Sequence, residues 1–297
     1  MSGCRLCPRS CGADRSGGAK GYCGESSIVR VARAALHMWE EPCISGDNGS
    51  GTVFFCGCTL RCIYCQNHVI STGAAGKAIT VERLSEIFLE LQKKGANNIN
   101  LVTPTHFVPQ IIAALQRART EGLNLPVVYN TSGYECVETL RRLEGYVDVY
   151  LPDFKYLDEV HAGKYSAAAD YPDVAKRAVA EMVRQTGPPL FDSGGIMTKG
   201  VIVRHLLLPG CLKEARAVVE YLFHTYGNQI YMSLMNQYTP LETLDSGPYP
   251  ELARRVSPRA YDRLVDYAIE LGVEQAFIQE GGTAEESFIP PFTLEGV

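Results

Sequence analysis

From Gly51 onward, short apolar runs alternate with stretches of helical periodicity, and that alternation is the mark of parallel βαβ units. Seven runs read as strands: TVFFC at 52–56, INLVT at 99–103, PVVYN at 126–130, VDVYL at 147–151, VIVRHLLL at 201–208, QIYMSLM at 229–235 and AFIQ at 276–279. Several are near-continuous β-branched or aromatic runs, as strands covered on both faces require. Between them, VERLSEIFLELQKK carries Leu84, Ile87, Phe88 and Leu91 at helical spacing, and VPQIIAALQRAR and LKEARAVVEYLFHTY read likewise. Gly95, Gly122 and Gly227 stand where a left-handed helix cap is useful, and the stretch from Tyr156 to about Lys199 is long enough for two helices. The expected fold is α/β: a partial (β/α) TIM-type barrel of about six parallel strands over residues 51–297. Residues 1–50, rich in Cys, Gly, Ser and Arg, are too few for an apolar core of their own and read as a metal-binding extension. Within that extension, residues 28–39 read as a strand leading into the main domain.

The cysteines are distributed unevenly. Nine of the eleven fall before residue 66, in a chain of 297 residues whose remainder is cysteine-poor. A secreted disulfide scaffold is normally short and cysteine-dense throughout, so clustered thiols here point to metal. The N-terminus MSGCRLCPRSCG lacks the apolar run of a signal peptide, and no apolar stretch is long enough to span a bilayer, so a cytoplasmic protein with no membrane partner is expected. A net charge of -5 argues against nucleic acid as a partner.

Ligands of parallel α/β folds sit at the carboxyl ends of the strands. Here those ends are CGCTLRCIYC, TPTH, NTSG, PDFK, PG and NQY, all polar or cysteine-bearing. Directly after the first strand comes Cys58-Thr-Leu-Arg-Cys62-Ile-Tyr-Cys65. Three thiolates so spaced can bind three corners of a cubane iron–sulfur cluster and leave one iron open. The competing reading is a zinc site completed by Cys56 or His68, but Cys56 ends an apolar run and reads as a buried strand residue. Arg204 lies inside an apolar strand, where an unpaired charge is costly, so it needs Asp153 or a ligand carboxylate. Asn130, Ser132, Asn236 and Gln237 offer neutral hydrogen-bonding groups at strand ends.

On these residues the sequence resembles the radical S-adenosylmethionine (SAM) superfamily. The blocks FFCGCTLRCIYCQN, VYNTSGYE, VDVYLPDFKY, LLLPG, LMNQY and GGTAEESFIPPF are similar to the group related to pyruvate formate-lyase activating enzyme. The resemblance implies a [4Fe-4S] cluster on Cys58, Cys62 and Cys65 whose open iron chelates SAM. One-electron reduction would then yield a 5′-deoxyadenosyl radical that abstracts hydrogen from a substrate. It also implies an adenine contact at Tyr64, SAM contacts from Asp153 and Lys155 in PDFK, and a flavodoxin- or ferredoxin-type electron donor. The sequence departs from the group where a Gly-Gly-Glu block normally receives the SAM amino group. Thr103-Pro104-Thr105-His106 stands there instead, leaving Thr103 and Thr105 hydroxyls and backbone carbonyls as acceptors; Glu280-Gly281-Gly282 lies elsewhere.

Cys4, Cys7, Cys11 and Cys23, with Pro8, Gly12 and Gly24 in the turns, describe a second, closed metal site. Zinc is preferred because no ferredoxin-like repeat is present; an auxiliary iron–sulfur cluster that relays electrons is the rival. Cys43, Cys136 and Cys211 read as ordinary buried or loop thiols. For the substrate, the resemblance implies a protein or peptide, for example a glycyl position in a partner enzyme. A small molecule or a modified RNA base is the alternative, and a non-catalytic electron carrier a third reading that leaves the strand-end groups unused.

Overall fold

Runs of β-branched and aromatic residues that cannot tolerate water on either face all become strands in the computed structural model, which describes residues 3–241, 244, 248–279 and 290–297. The strands are β1 (Val29–His37), β2 (Ser50–Phe55), β3 (Lys77–Ile79), β4 (Ile99–Val102), β5 (Val127–Thr131), β6 (Val149–Pro152), β7 (Leu190–Phe191), β8 (Met197–Leu206), β9 (Tyr231–Met235) and β10 (Ala276–Ile278). The helices are α1 (Pro42–Ser45), α2 (His68–Ser71), α3 (Val81–Lys93), α4 (Val108–Thr120), α5 (Val137–Arg141), α6 (Glu159–Ser166), α7 (Tyr171–Thr186), α8 (Leu212–Tyr226) and α9 (Pro258–Leu271). The sheet order is β10-β9-β8-β6-β5-β4-β2-β1-β3, and the neighbours from β2 through β10 are parallel. This is a partial barrel of seven parallel strands, one more than the expected six, because the three-residue β10 pairs with β9. The block GGTAEESFIPPF and Glu280-Gly281-Gly282 fall outside the described residues, except for Pro290, Pro291 and Phe292.

Alternation along the strands divides the sheet into two faces. Val53, Leu101, Tyr129 and Tyr150 are paired in register and belong to the large core under the helices. Each outer helix supplies a matching stripe. In α3, Thr80 caps the first turn by accepting from the Arg83 amide, and Leu84, Ile87, Phe88 and Leu91 are buried as their spacing predicts. Gly95 and Gly122 take positive φ after their helices, as expected. α6 and α7 fill the long connection, and β7 pairs back on the start of β8, which begins earlier than its apolar run.

The other face looks into the barrel, and the segment before β2 partly fills it. β1 runs antiparallel to both β2 and β3, so the chain joins the sheet from Val29, inside the Cys-rich extension. Its continuation, α1, packs Cys43 and Ile44 against Val128, Val149, Leu151, Met197 and Ile202 of the barrel strands. Asn98 donates to the Ile44 carbonyl at 2.7 Å, satisfying a backbone group that would otherwise be buried without a partner. This plug delivers the residues just before it, Glu40 and Glu41, to the barrel interior. No helix among the described residues is long and apolar enough to cross a membrane.

Candidate functional site

The triad loop leaves the carboxyl end of β2 through Gly57 (φ +80), where a side chain would stand 2.6 Å from the Cys23 carbonyl oxygen. Only glycine allows that approach. The loop curls so that the Leu60 and Arg61 amides point at Cys58 Sγ at 3.4 and 3.5 Å, with Arg61 itself at φ +56. Ser166 Oγ donates to Cys62 Sγ at 3.0 Å. These donors stabilise thiolates over thiols, as a metal-binding set requires. Without metal, burial and the neighbouring Cys58 and Cys62 push the Cys65 thiol up to about 12, so a bound cation is what would ionise it. Among the described residues, no three cysteine Sγ atoms lie within 4.8 Å of one another, so the triad is spread wider than a single ion needs. Cys56 is fully buried with its thiol on the Ala75 carbonyl, and His68 is exposed, which leaves the zinc reading of this loop without a fourth ligand.

Cys58, Cys62 and Cys65 face a cavity of about 1050 Å³, part of it open to solvent. Thr103, Asn130, Ser132, Asp153, Lys155, Arg204 and Gln237 all line it, from the ends of successive strands. Asp153 binds Lys155 Nζ at 2.6 Å and Arg204 Nε at 3.0 Å. Arg204 also donates to Asn130 Oδ1 at 2.6 Å, which resolves the burial of a guanidinium in an apolar strand. Burial pushes the Asp153 carboxyl up, but Lys155 and then Arg204 outweigh it and hold the group below its ordinary value.

Three expected residues are engaged elsewhere. Tyr64 is turned into the core, 5% exposed, with its hydroxyl 2.6 Å from Tyr156 Oη and its ring edge-on to Tyr165 and Tyr238. Its ring therefore packs beneath the loop and does not reach the cavity, contrary to an adenine contact by the side chain. Thr105 is buried and donates to Glu135 Oε1 at 2.5 Å, behind the site. Asn236 is not part of the cavity wall; its neighbour Gln237 is, as adjacent extended residues face opposite ways. His106 is also behind the wall, buried, 2.7 Å from the Cys56 carbonyl, and pushed down to about 3, so it stays neutral and holds the loop.

Two groups went unread in the sequence. Glu40 lines the cavity, 3.4 Å from Arg204 and 3.3 Å from Asn130 Nδ2. Burial pushes both Glu40 and Glu41 up against the pull of Arg204. Two adjacent acids closing an apolar strand, in ARAALHMWEEP, were the available signal. Glu135 is the second: buried, accepting from Thr105, Thr131 and Tyr129, and pushed up by burial to about 7.

The sequence pattern of the Radical SAM superfamily matches residues 52–200, half of the chain and the part that holds the triad and the Asp153–Lys155 pair. The chain belongs to the radical SAM superfamily. Membership implies an enzyme that uses SAM and an iron–sulfur cluster. An uncharacterized protein of Methanocaldococcus jannaschii is 27% identical over 277 residues, 89% of this chain and 74% of that one. Among solved structures, Streptococcus suis SuiB bound to S-adenosylmethionine superposes with a TM-score of 0.51 at 15% identity, over 75% of this chain and 48% of SuiB. A second SuiB structure superposes with a TM-score of 0.51 at 14% identity, over 78% and 48%. The chain thus spans about half the length of SuiB, and at this identity the likeness is one of fold. A radical SAM enzyme on a partial barrel is the description these findings support.

Proposed function

We propose that Cys58, Cys62 and Cys65 hold three irons of a [4Fe-4S] cluster and that the adjoining cavity takes SAM against the fourth. The observation that carries this reading is the convergence of three thiols and one buried charge network on a single cavity wall. When bound, the reduced cluster would supply one electron to the sulfonium of SAM, methionine would leave as the C–S bond breaks, and the 5′-deoxyadenosyl radical would take a hydrogen atom from the substrate.

The chain's own residues bind and orient. The methionyl end of SAM carries a carboxylate, an ammonium and a sulfonium, and the wall offers both signs of charge. Lys155 and Arg204 suit the carboxylate; Asp153 holds them in place and screens their mutual repulsion. Glu40 supplies the anion that Thr103-Pro104-Thr105-His106 lacks, from a part of the chain far from that stretch. Thr103, at φ +58, lines the wall and offers acceptors to the ammonium, and Asn130, Ser132 and Gln237 suit a ribose. The barrel walls around them shield reactive carbon on the sides away from the solvent-open mouth.

The substrate we propose is a protein or peptide. A second hollow of about 1250 Å³, much of it open to solvent, shares Trp39, Glu40, Arg204 and Gln237 with the first and continues past Met38, Ser233, Phe277 and Gln279. A hollow of mixed polar and apolar lining that adjoins the charged chamber suits an extended chain with both kinds of side chain better than a compact metabolite. A flavodoxin- or ferredoxin-type protein is the proposed electron donor. Anaerobically reconstituted protein given dithionite and SAM is expected to release 5′-deoxyadenosine, and Cys62→Ala to abolish it. Peptides deuterated at glycine are expected to pass deuterium into the 5′-deoxyadenosine. Transfer from deuterated small molecules alone would remove the peptide reading and leave the cluster chemistry standing.

A further inference from the structure

Residues 3–27 contain no helix or strand, yet Cys7 and Cys23 are buried there. The segment is held by turns, with Cys4 N donating to Ala13 O at 3.0 Å and Gly12 N to Cys4 O at 3.1 Å. Buried Arg15 ties it down, donating to Glu25 O at 3.2 Å and His106 O at 2.6 Å. Its thiols converge: a methyl on Gly21 would stand 3.2 Å from Cys11 Sγ and 3.4 Å from Cys23 Sγ. So small an element without an apolar core needs a metal to hold it.

The spacing decides which metal. Zinc with four thiolates at about 2.3 Å in a tetrahedron sets its sulfurs about 3.8 Å apart. Any three of them would then fall within 4.8 Å, and no three cysteine sulfurs among the described residues do. The set Cys58, Cys62 and Cys65 is open in the same way, as expected when each thiolate binds a different iron. We infer that Cys4, Cys7, Cys11 and Cys23 hold a second [4Fe-4S] cluster in place of zinc, and that it feeds electrons to the metal of the triad loop. Four cysteines close all four irons, so this cluster binds no substrate and is suited to electron transfer.

Its position fits that task. Cys11 is exposed, on the side a donor protein can reach. On the inner side, the Cys58 amide donates to the Cys23 carbonyl at 3.2 Å, so a ligand of one set is hydrogen-bonded to a ligand of the other. Arg9 clamps the two segments, donating to Thr59 O at 2.9 Å while its guanidinium lies 4.2 Å over the Tyr22 ring. In each transfer a reduced flavodoxin- or ferredoxin-type protein loses one electron and the outer cluster gains it, then passes it inward. No bond forms or breaks and no proton moves. The acceptor rests on the function proposed above; the identity of the outer metal does not.

The test separates the two. The chain carrying Cys58→Ala, Cys62→Ala and Cys65→Ala is reconstituted anaerobically with iron, sulfide and zinc all present. It is expected to keep half the iron and sulfide of the wild type, no zinc, and a [4Fe-4S] electron paramagnetic resonance (EPR) signal on reduction. Bound zinc without iron, or no metal at all, overturns the inference whatever the triad does. In the fully reduced wild type, the two clusters are expected to broaden each other's signal; a spectrum equal to the sum of the two single-site variants overturns the relay. For Cys11→Ser, the ratio of flavodoxin-driven to dithionite-driven SAM cleavage is expected to fall about tenfold. A ratio unchanged from wild type also overturns the relay.

Discussion

Cys58, Cys62 and Cys65 stand on the wall of a cavity, three thiols facing a network of Asp153, Lys155, Arg204 and Glu40. Cys4, Cys7, Cys11 and Cys23 are four thiols wrapped in backbone turns, with one of them at the surface. In neither set do three sulfurs lie within 4.8 Å of one another, and yet their surroundings differ in kind. What distinguishes them is the number of donors and what lies opposite. On the function proposed, three thiols beside a charged hollow leave a coordination position for a ligand, whereas four thiols close the metal and leave it only electrons to exchange.

The contrast can be broken most severely at Asp153. Asp153→Asn removes the one carboxylate shared by Lys155 and Arg204 and is expected to cost about 3–5 kcal/mol in denaturant unfolding. SAM binding, read by equilibrium dialysis, is expected to fall with it while the iron on the N-terminal set is retained. Because the Asp153 carboxyl is held below its ordinary value, its stabilisation is present at neutral pH and is lost as pH falls through the folded value.

Glu135 has the opposite sign. Its folded pKa of about 7 lies above the ordinary 4.5, so the folded state holds the proton more tightly and stability falls as pH rises across that window. The loss is expected to reach about 3 kcal/mol by pH values above the window, and Glu135→Gln to flatten it. A slope unchanged in the glutamine variant would assign the pH dependence to another group. The smallest expected effect belongs to Ser166→Ala, which removes the hydroxyl that donates to Cys62 Sγ. Only the part of that bond, about 1 kcal/mol in all, that differs between the oxidised and reduced cluster shifts the potential, so the midpoint of the triad cluster is expected to drop by at most about 40 mV. The N-terminal cluster is expected to keep its potential.

Local patterns were the legible part. All seven apolar runs became strands, and Asp153, Lys155 and Arg204 met on one wall because they close neighbouring strands of a parallel sheet. The rest depended on contacts between distant segments. Glu40 reaches the cavity only because β1 turns back antiparallel on β2 and α1 enters the barrel; the paired acids of WEEP mark an unusual strand end but not that path. Thr105 was drawn from the cavity by the buried Glu135, thirty residues away. Tyr64 was drawn inward by the Tyr156 hydroxyl, itself bonded to Ser166, contacts that no spacing rule brings together. The choice between zinc and a cluster at the N-terminal cysteines turns on sulfur positions, which C-x-x-C-x-x-x-C does not encode.

Of the two cysteine sets, we propose that the triad alone keeps a position for SAM. The most direct measurement is the EPR spectrum of the reduced protein, with and without SAM, in two chains: one lacking Cys58, Cys62 and Cys65, the other lacking Cys4, Cys7, Cys11 and Cys23. SAM is expected to alter the signal of the chain that retains the triad and to leave the other unchanged. A triad signal indifferent to SAM, or an N-terminal signal that responds to it, would overturn the assignment of the triad as the SAM site.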